Sequence, residues 1–306
     1  MIRKGGVKAF AKIAVLLGAH YVAAAHAVEI THKQGSLDVP FDPKPTLVFD
    51  PGALDTLDTL GVDVQGVGED NWSGSLEKYR SDAYLKVGTL FEPNYEVVYG
   101  AKPQLVIVAD RSAPKFRQLS GIAPTIDLTV DTRNLVSQVE DNTRLLAKLY
   151  QKEPMAEAKI KALNLSIAKL HELATNKGTG LIVLTSGGKL SAYGPGSRFG
   201  VLHDSFGVQP AATDLKISMH GQVISYEYIA KVDPDWLFVI DRDAAIGTAG
   251  VAAQQLLDNP IVSRSKAWKS GHVVYLDNND WYMVGVSGIG ALQRTVDTLS
   301  VVLGSK

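Results

Sequence analysis

The sequence predicts an α/β protein: two Rossmann-like lobes with parallel sheets, bridged by one long α-helix. Three observations predict it. Glu153–Gly178 has no glycine or proline between Pro154 and Gly178, and Ile160, Leu163, Ile167, Leu170 and Ala174 recur there at steps of three and four. That spacing puts them on one face of a helix, with Pro154 suited to its first turn and Gly178 to its end. On either side of this stretch the sequence repeats. Tyr95-Glu96, Pro103, an apolar run and Asp110-Arg111 return as Tyr226-Glu227, Pro234, an apolar run and Asp241-Arg242, without a gap. Finally, short apolar runs alternate with helical patterns along both flanks, which is the signature of parallel sheets.

Taken in order, Met1–Ala27 reads as a cleaved signal peptide. Arg3, Lys4, Lys8 and Lys12 precede the apolar run Ile13–Ala19, and Ala25-His26-Ala27 has the small residues of a cleavage site. The apolar run is too short to span a bilayer. The expected division is 1–27 signal peptide, 28–152 first lobe, 153–178 bridging helix and 179–306 second lobe. Val28–Asp42 suggests a hairpin, Thr46–Phe49 a buried strand, and Asp50-Pro51-Gly52 the start of a helix that turns Leu54, Leu57 and Leu60 inward and stops at Gly61. Val62–Val67, Leu105–Ala109 and Ile122–Leu128 read as further strands, Gly68–Ser75 as a polar loop holding Trp72, and Leu135–Tyr150 as a helix. Beyond the bridge, Leu181–Leu184 reads as a strand, Ser191–Gly200 as a glycine-rich loop and Phe199–Phe206 as a helix stopped by Gly207. Trp236–Ile240 and His272–Leu276 read as strands, and 288–303 as a closing helix.

The chain has 306 residues, 45% of them apolar, and a formal net charge of −1. That suits two lobes with cores of their own and argues against disorder or a nucleic-acid partner. Without its basic leader the chain would carry about −5, so clustered arginines stand out. There is no cysteine, which excludes disulfides, thiolate metal sites and a cysteine nucleophile, and leaves no thiol to carry a lipid anchor. A soluble periplasmic monomer is therefore expected. No G-x-S-x-G, G-x-x-x-x-G-K-[ST] or H-E-x-x-H motif occurs. Gly194-Pro-Gly196…Gly200 departs from a phosphate-binding fingerprint and reads as a turn that frees Arg198.

Ligands in open α/β sheets bind beyond the carboxyl ends of the strands. The repeat therefore aims Arg111 and Arg242 at a shared cleft, and Arg198 joins them from its loop. Three guanidinium groups there point to an anion. Asp241 and Asp243 flank Arg242 at the spacing of a metal pair, but read better as orienting the arginine or remaining solvated. His220 is a loop histidine, and Tyr282 follows a strand end as a ligand-facing or rim aromatic. The histidines lie too scattered in sequence for a zinc site.

The chain resembles the periplasmic substrate-binding proteins of ABC importers for iron–siderophore complexes, specifically the catecholate group with a helical backbone. The resemblance is carried by Thr46-Leu-Val-Phe-Asp50, Leu57-Asp-Thr-Leu60-Gly61-Val62, Val87-Gly88-Thr89, Glu92-Pro93-Asn94 and Leu119-Ser120…Ile122-Ala-Pro-Thr125. Tyr193-Gly-Pro-Gly-Ser-Arg198-Phe-Gly200…His203-Asp204, Asp241-Arg242 and Trp281-Tyr282 extend it over nearly all of the chain after the leader. It implies a receptor without catalysis or an intrinsic cofactor, whose ligand is an iron(III)–siderophore complex delivered to ABC permease subunits. It implies Arg111, Arg198 and Arg242 around the anionic complex, His220 and Tyr282 as direct iron ligands where a tetradentate siderophore leaves two positions open, and Glu96 and Glu227 as permease-docking residues. The nearest alternative is a haem carrier of the same fold with Tyr282 or His220 as axial ligand, although haem brings only two propionates for three arginines. An enzyme on a two-lobed scaffold is the alternative from a different class.

Overall fold

The computed structural model describes residues 27–218 and 220–305. The expected leader lies outside the described residues except for Ala27, which opens the first strand. Strands β1 (Ala27–His32) and β2 (Gly35–Pro40) form an antiparallel hairpin, in line with the 28–42 pattern.

The first lobe then runs through β3 (Thr46–Val48), α1 (Pro51–Thr59), β4 (Gly66–Val67), β5 (Leu85–Lys86), α2 (Tyr95–Ala101), β6 (Leu105–Val108), α3 (Phe116–Ser120) and β7 (Thr125–Asp127). Its five strands are all parallel, in the order β5-β4-β3-β6-β7. Asp50 starts α1 by accepting the Ala53 N–H at 2.7 Å, and Leu54, Leu57 and Leu60 are fully buried. The expected strand at 62–67 shortens to its last two residues. The expected loop is present over 68–73 and buries Trp72, whose indole N–H donates to Gly68 O at 3.0 Å.

Helices α4 (Leu135–Tyr150) and α5 (Glu153–Ala174) follow. α5 buries Ile160, Leu163, Leu170 and Ala174 on one face, as their spacing requires, and exposes Lys159, Lys161, Lys169 and Glu172. Its C-cap is Thr175 rather than Gly178. The glycine takes its positive φ of 93° three residues later, where the chain enters the next strand.

The second lobe contains β8 (Thr179–Ser186), β9 (Lys189–Tyr193), α6 (Val201–Asp204), β10 (Gln209–Pro210), β11 (Gln222–Ile224), α7 (Tyr226–Val232), β12 (Trp236–Asp241), α8 (Arg242–Ala245), α9 (Ala253–Leu257), α10 (Lys266–Lys269), β13 (Val273–Tyr275) and α11 (Ile289–Gly304). Strands β8, β12 and β13 are parallel, whereas β9 and β11 add an antiparallel flank. Ser191–Tyr193, expected as loop, therefore belongs to a strand. The reason for the difference is Gly187-Gly188, a two-residue connection with φ of 54° and 74° that folds β9 straight back onto β8. The expected helix at 199–206 contracts to α6.

α11 belongs to both halves of the molecule. Ala291 joins the first-lobe core with Leu54 and Leu57, whereas Leu292, Val296, Leu299 and Leu303 pack with Ile160, Leu163 and Leu170 of α5.

The interlobe cleft and its relatives

The sequence repeat is a repeat of backbone geometry. Asn94 and Ser225 each cap a seven-residue helix through the side chain, accepting from Val97 N and Tyr228 N. Both helices end on left-handed residues, Lys102 and Asp233, each at φ 48°. Each then leads into a strand inside its sheet, β6 or β12, with an arginine just beyond. Glu96 and Glu227 occupy the same exposed position in the first turn of α2 and α7.

Both arginines reach one segment, a π-helical turn at Asn279–Met283. Arg111 donates from an Nη to Met283 O at 2.5 Å, and Arg242 donates from Nε to the Tyr282 hydroxyl at 2.8 Å. Arg198 donates from an Nη to Tyr282 O at 2.7 Å, with its guanidinium carbon 4.7 Å from the centre of the Tyr282 ring and 5.0 Å from that of Phe199. Three guanidinium groups from three separate elements thus meet at two consecutive residues.

Among the described residues Arg242 pairs loosely with Asp243 (3.6 Å), and no carboxylate forms an ion pair with Arg111 or Arg198. Burial, and then the like charge of Arg111, push the Arg198 pKa below its ordinary value. Such a site gains when an anion enters. Asp243 also accepts from Gly187 N, while Asp241 spends its oxygens on Ala244 N and Ala253 N. Asp243 therefore touches the arginine and Asp241 shapes the chain around it.

Arg198 stands between two cavities. One, of about 380 Å³, is lined by Lys189, Tyr193, His220, Arg242 and Tyr282. The other, of about 250 Å³, lies between the lobes and is lined by Asp50, Asp110, Arg111, Thr132 and Ser287. His220, which is exposed, and Tyr282, which is 9% exposed, therefore face the same space. Sequence reasoning misses Lys189 and Asp50 as lining residues. Lys189 could be found only through the glycine hairpin that turns β9 toward the cleft. Among the described residues no group of three His, Cys, Asp or Glu side chains could hold a metal ion, and no helix is long and apolar enough to cross a membrane.

The periplasmic binding protein model matches residues 48–279. The petrobactin-binding protein YclQ of Bacillus subtilis (strain 168) is 42% identical over 251 residues, or 81% of this chain and 78% of that protein. Its crystal structure superposes with a TM-score of 0.88 at 37% identity, covering 92% of this chain and 100% of the other. The catecholate-siderophore binding protein VctP of Vibrio cholerae matches with a TM-score of 0.85 at 33% identity, covering 90% and 100%. The ferric-anguibactin-binding protein FatB of Vibrio anguillarum is 31% identical over 278 residues, covering 89% of this chain and 86% of that protein. The chain belongs to the periplasmic binding protein family, whose members bind substrates and are not enzymes.

Proposed function

We propose that this protein is the receptor of an ABC importer, capturing a ferric catecholate siderophore between its lobes and delivering it to the permease. The observation that carries the reading is the convergence of Arg111, Arg198 and Arg242 on Tyr282-Met283, two of them without an ion-pair partner among the described residues. Guanidinium keeps its charge at any physiological pH and suits the delocalised oxygens of a catecholate complex. The relatives named for siderophores support the same ligand class.

Within this reading His220 and Tyr282 coordinate iron(III) when the siderophore is tetradentate. Phenolate oxygen is a hard donor suited to that ion. Iron is cargo here and not a resident cofactor. Glu96 and Glu227, one on each lobe, dock on the permease. The mature protein is a monomer released to the periplasm after cleavage of 1–27, with lobes 28–152 and 179–306 joined through 153–178.

The test is titration with a ferric bis-catecholate complex, followed through intrinsic fluorescence. Trp281 is buried beside Tyr282 with its ring 6.2 Å from that of Phe199, so it should report occupancy. Saturable quenching at micromolar or lower concentration is expected. No response to several ferric catecholates would refute the ligand class.

A further inference from the structure

The turn that presents Tyr282 is gripped from behind as well as in front. On its far side Arg294 of α11 donates from Nε to Asp280 Oδ2 at 2.9 Å, and from one Nη to Asp280 Oδ1 at 2.6 Å and Asp55 Oδ1 at 2.7 Å. Asp55 lies in α1, its side chain 2% exposed, and its other oxygen accepts from Ala291 N at 2.9 Å. The Asp280 side chain is 8% exposed. Its N–H donates to Asp277 Oδ1 and its carbonyl accepts from Val286 N, both at 2.8 Å, so Asp280 also closes the turn through its backbone. Val286 is fully buried at φ 53°, a conformation that a β-branched residue adopts only under constraint.

Two buried carboxylates sharing one guanidinium are a costly way to fasten a helix, since well-packed apolar side chains would do so with less desolvation. The arrangement does fix direction. A bidentate guanidinium–carboxylate pair is planar and holds Asp280 against rotation. Asp280 is two residues from Tyr282, within the same helical turn. A one-residue shift in this turn would carry the phenol away from Arg242 and the carbonyls away from Arg111 and Arg198.

We propose that Arg294, acting through Asp280 and anchored by Asp55, is the positioning residue that sets how far Tyr282 reaches into the cleft. The inference rests on the reading that Tyr282 meets the iron of an incompletely coordinated siderophore complex. Groups that orient a metal-binding side chain typically alter affinity by tenfold or more when removed.

The experiment compares ferric complexes of a tetradentate bis-catecholate and a hexadentate tris-catecholate. Affinity is read by fluorescence quenching and Tyr282 contact by the visible charge-transfer band. Wild type, Asp280→Asn, Tyr282→Phe and the double variant are titrated. Asp280→Asn should lose about tenfold more affinity for the tetradentate complex than for the hexadentate one, and shift the band. The double variant should be no weaker toward the tetradentate complex than Tyr282→Phe alone, because Asp280 acts through the phenol. Arg294→Lys, which keeps a cation between the carboxylates but loses the planar fork, carries the same comparison should Asp280→Asn fail to fold. Equal losses for both complexes, or losses that add in the double variant, would overturn the positioning role while leaving the iron-ligand reading intact. A Tyr282→Phe protein with unchanged preference between the two complexes would overturn both.

Discussion

Replacing Asp50 with asparagine should stabilise this protein at neutral pH and leave it almost unchanged in acid. Asp50 caps α1, is 8% exposed and lines the cavity between the lobes. Burial pushes its pKa from 3.8 to about 6, with the charge of Asp110 adding to the rise and the Ala53 N–H and Arg111 opposing it. Because the folded-state value is the higher one, the native chain holds the proton more tightly between about pH 4 and pH 6. This group's contribution to stability is therefore fully present below 3.8 and is lost as the pH climbs through about 6. At about 1.4 kcal/mol per unit, the ionised carboxylate costs the native state about 3 kcal/mol at pH 7.5. Asparagine is uncharged, is an equally good N-cap and can still accept the Ala53 N–H. Denaturant unfolding at pH 7.5 should show a gain of up to about 3 kcal/mol, shrinking toward zero near pH 4. The loss of a negative charge beside Arg111 should also tighten ferric-catecholate binding at pH 7.5. An Asp50→Asn effect of the same size at both pH values would refute the reasoning, as would destabilisation at pH 7.5.

Reversing the proposed docking charges, Glu96→Arg with Glu227→Arg, should abolish import in cells while ligand affinity in solution stays within about twofold, since both side chains are exposed and lie on α2 and α7. An unimpaired import rate would remove the docking assignment. His220→Ala should weaken a tetradentate ferric complex more than a hexadentate one, a difference that paired titrations read directly. Gly88→Ala should destabilise the first lobe by more than about 1 kcal/mol in denaturant unfolding, because Gly88 sits at φ 89° and a Cβ there would meet the backbone of Glu92, Pro93 and Asn94.

What can be read from the sequence is what repeats or what has a period. α5 is legible because its apolar residues keep a helical step, and α1 because Asp50-Pro51 marks a start and three leucines mark an inner face. The paired arginines are legible because the same polar residues bracket the same strand twice. The missed features depend on contacts without local signature. Asp55 and Arg294 lie at opposite ends of the chain, and neither neighbourhood betrays that α1 and α11 touch. The π-helical turn has no composition of its own, so Tyr282 can be placed after a strand but not on a clamped bend. Gly187-Gly188 does carry a hairpin signal. Reading Ser191–Gly200 as a loop hides β9, and with it Lys189.

The duplicated unit does not produce a symmetric cleft, and the reason lies in what passes between the copies. Asn94 and Ser225, Lys102 and Asp233, and Arg111 and Arg242 correspond residue for residue, yet Arg111 ends on a carbonyl and Arg242 on a phenol. The segment 279–287 threads the gap, and it offers different atoms to the two lobes. Arg198 has no counterpart among the described residues of the first lobe, since the antiparallel flank that leads to its loop belongs to the second sheet. A ligand entering this cleft therefore meets a directional field rather than a two-fold one, which fixes its orientation. The same segment leads into α11, whose first turn is bonded to Asp55 and whose later turns pack on α5. Rotation of the lobes about α5 alone would shear the Arg294–Asp55 bond and open the apolar contact of Ala291 with the first-lobe core. Packed helices yield by small sliding motions rather than by hinge opening. On the proposed reading, closure on a ligand would be taken up by arginine side chains and by interlobe hydrogen bonds such as that from Asn71 to Ala245 O, with the Tyr282 turn as the fixed point.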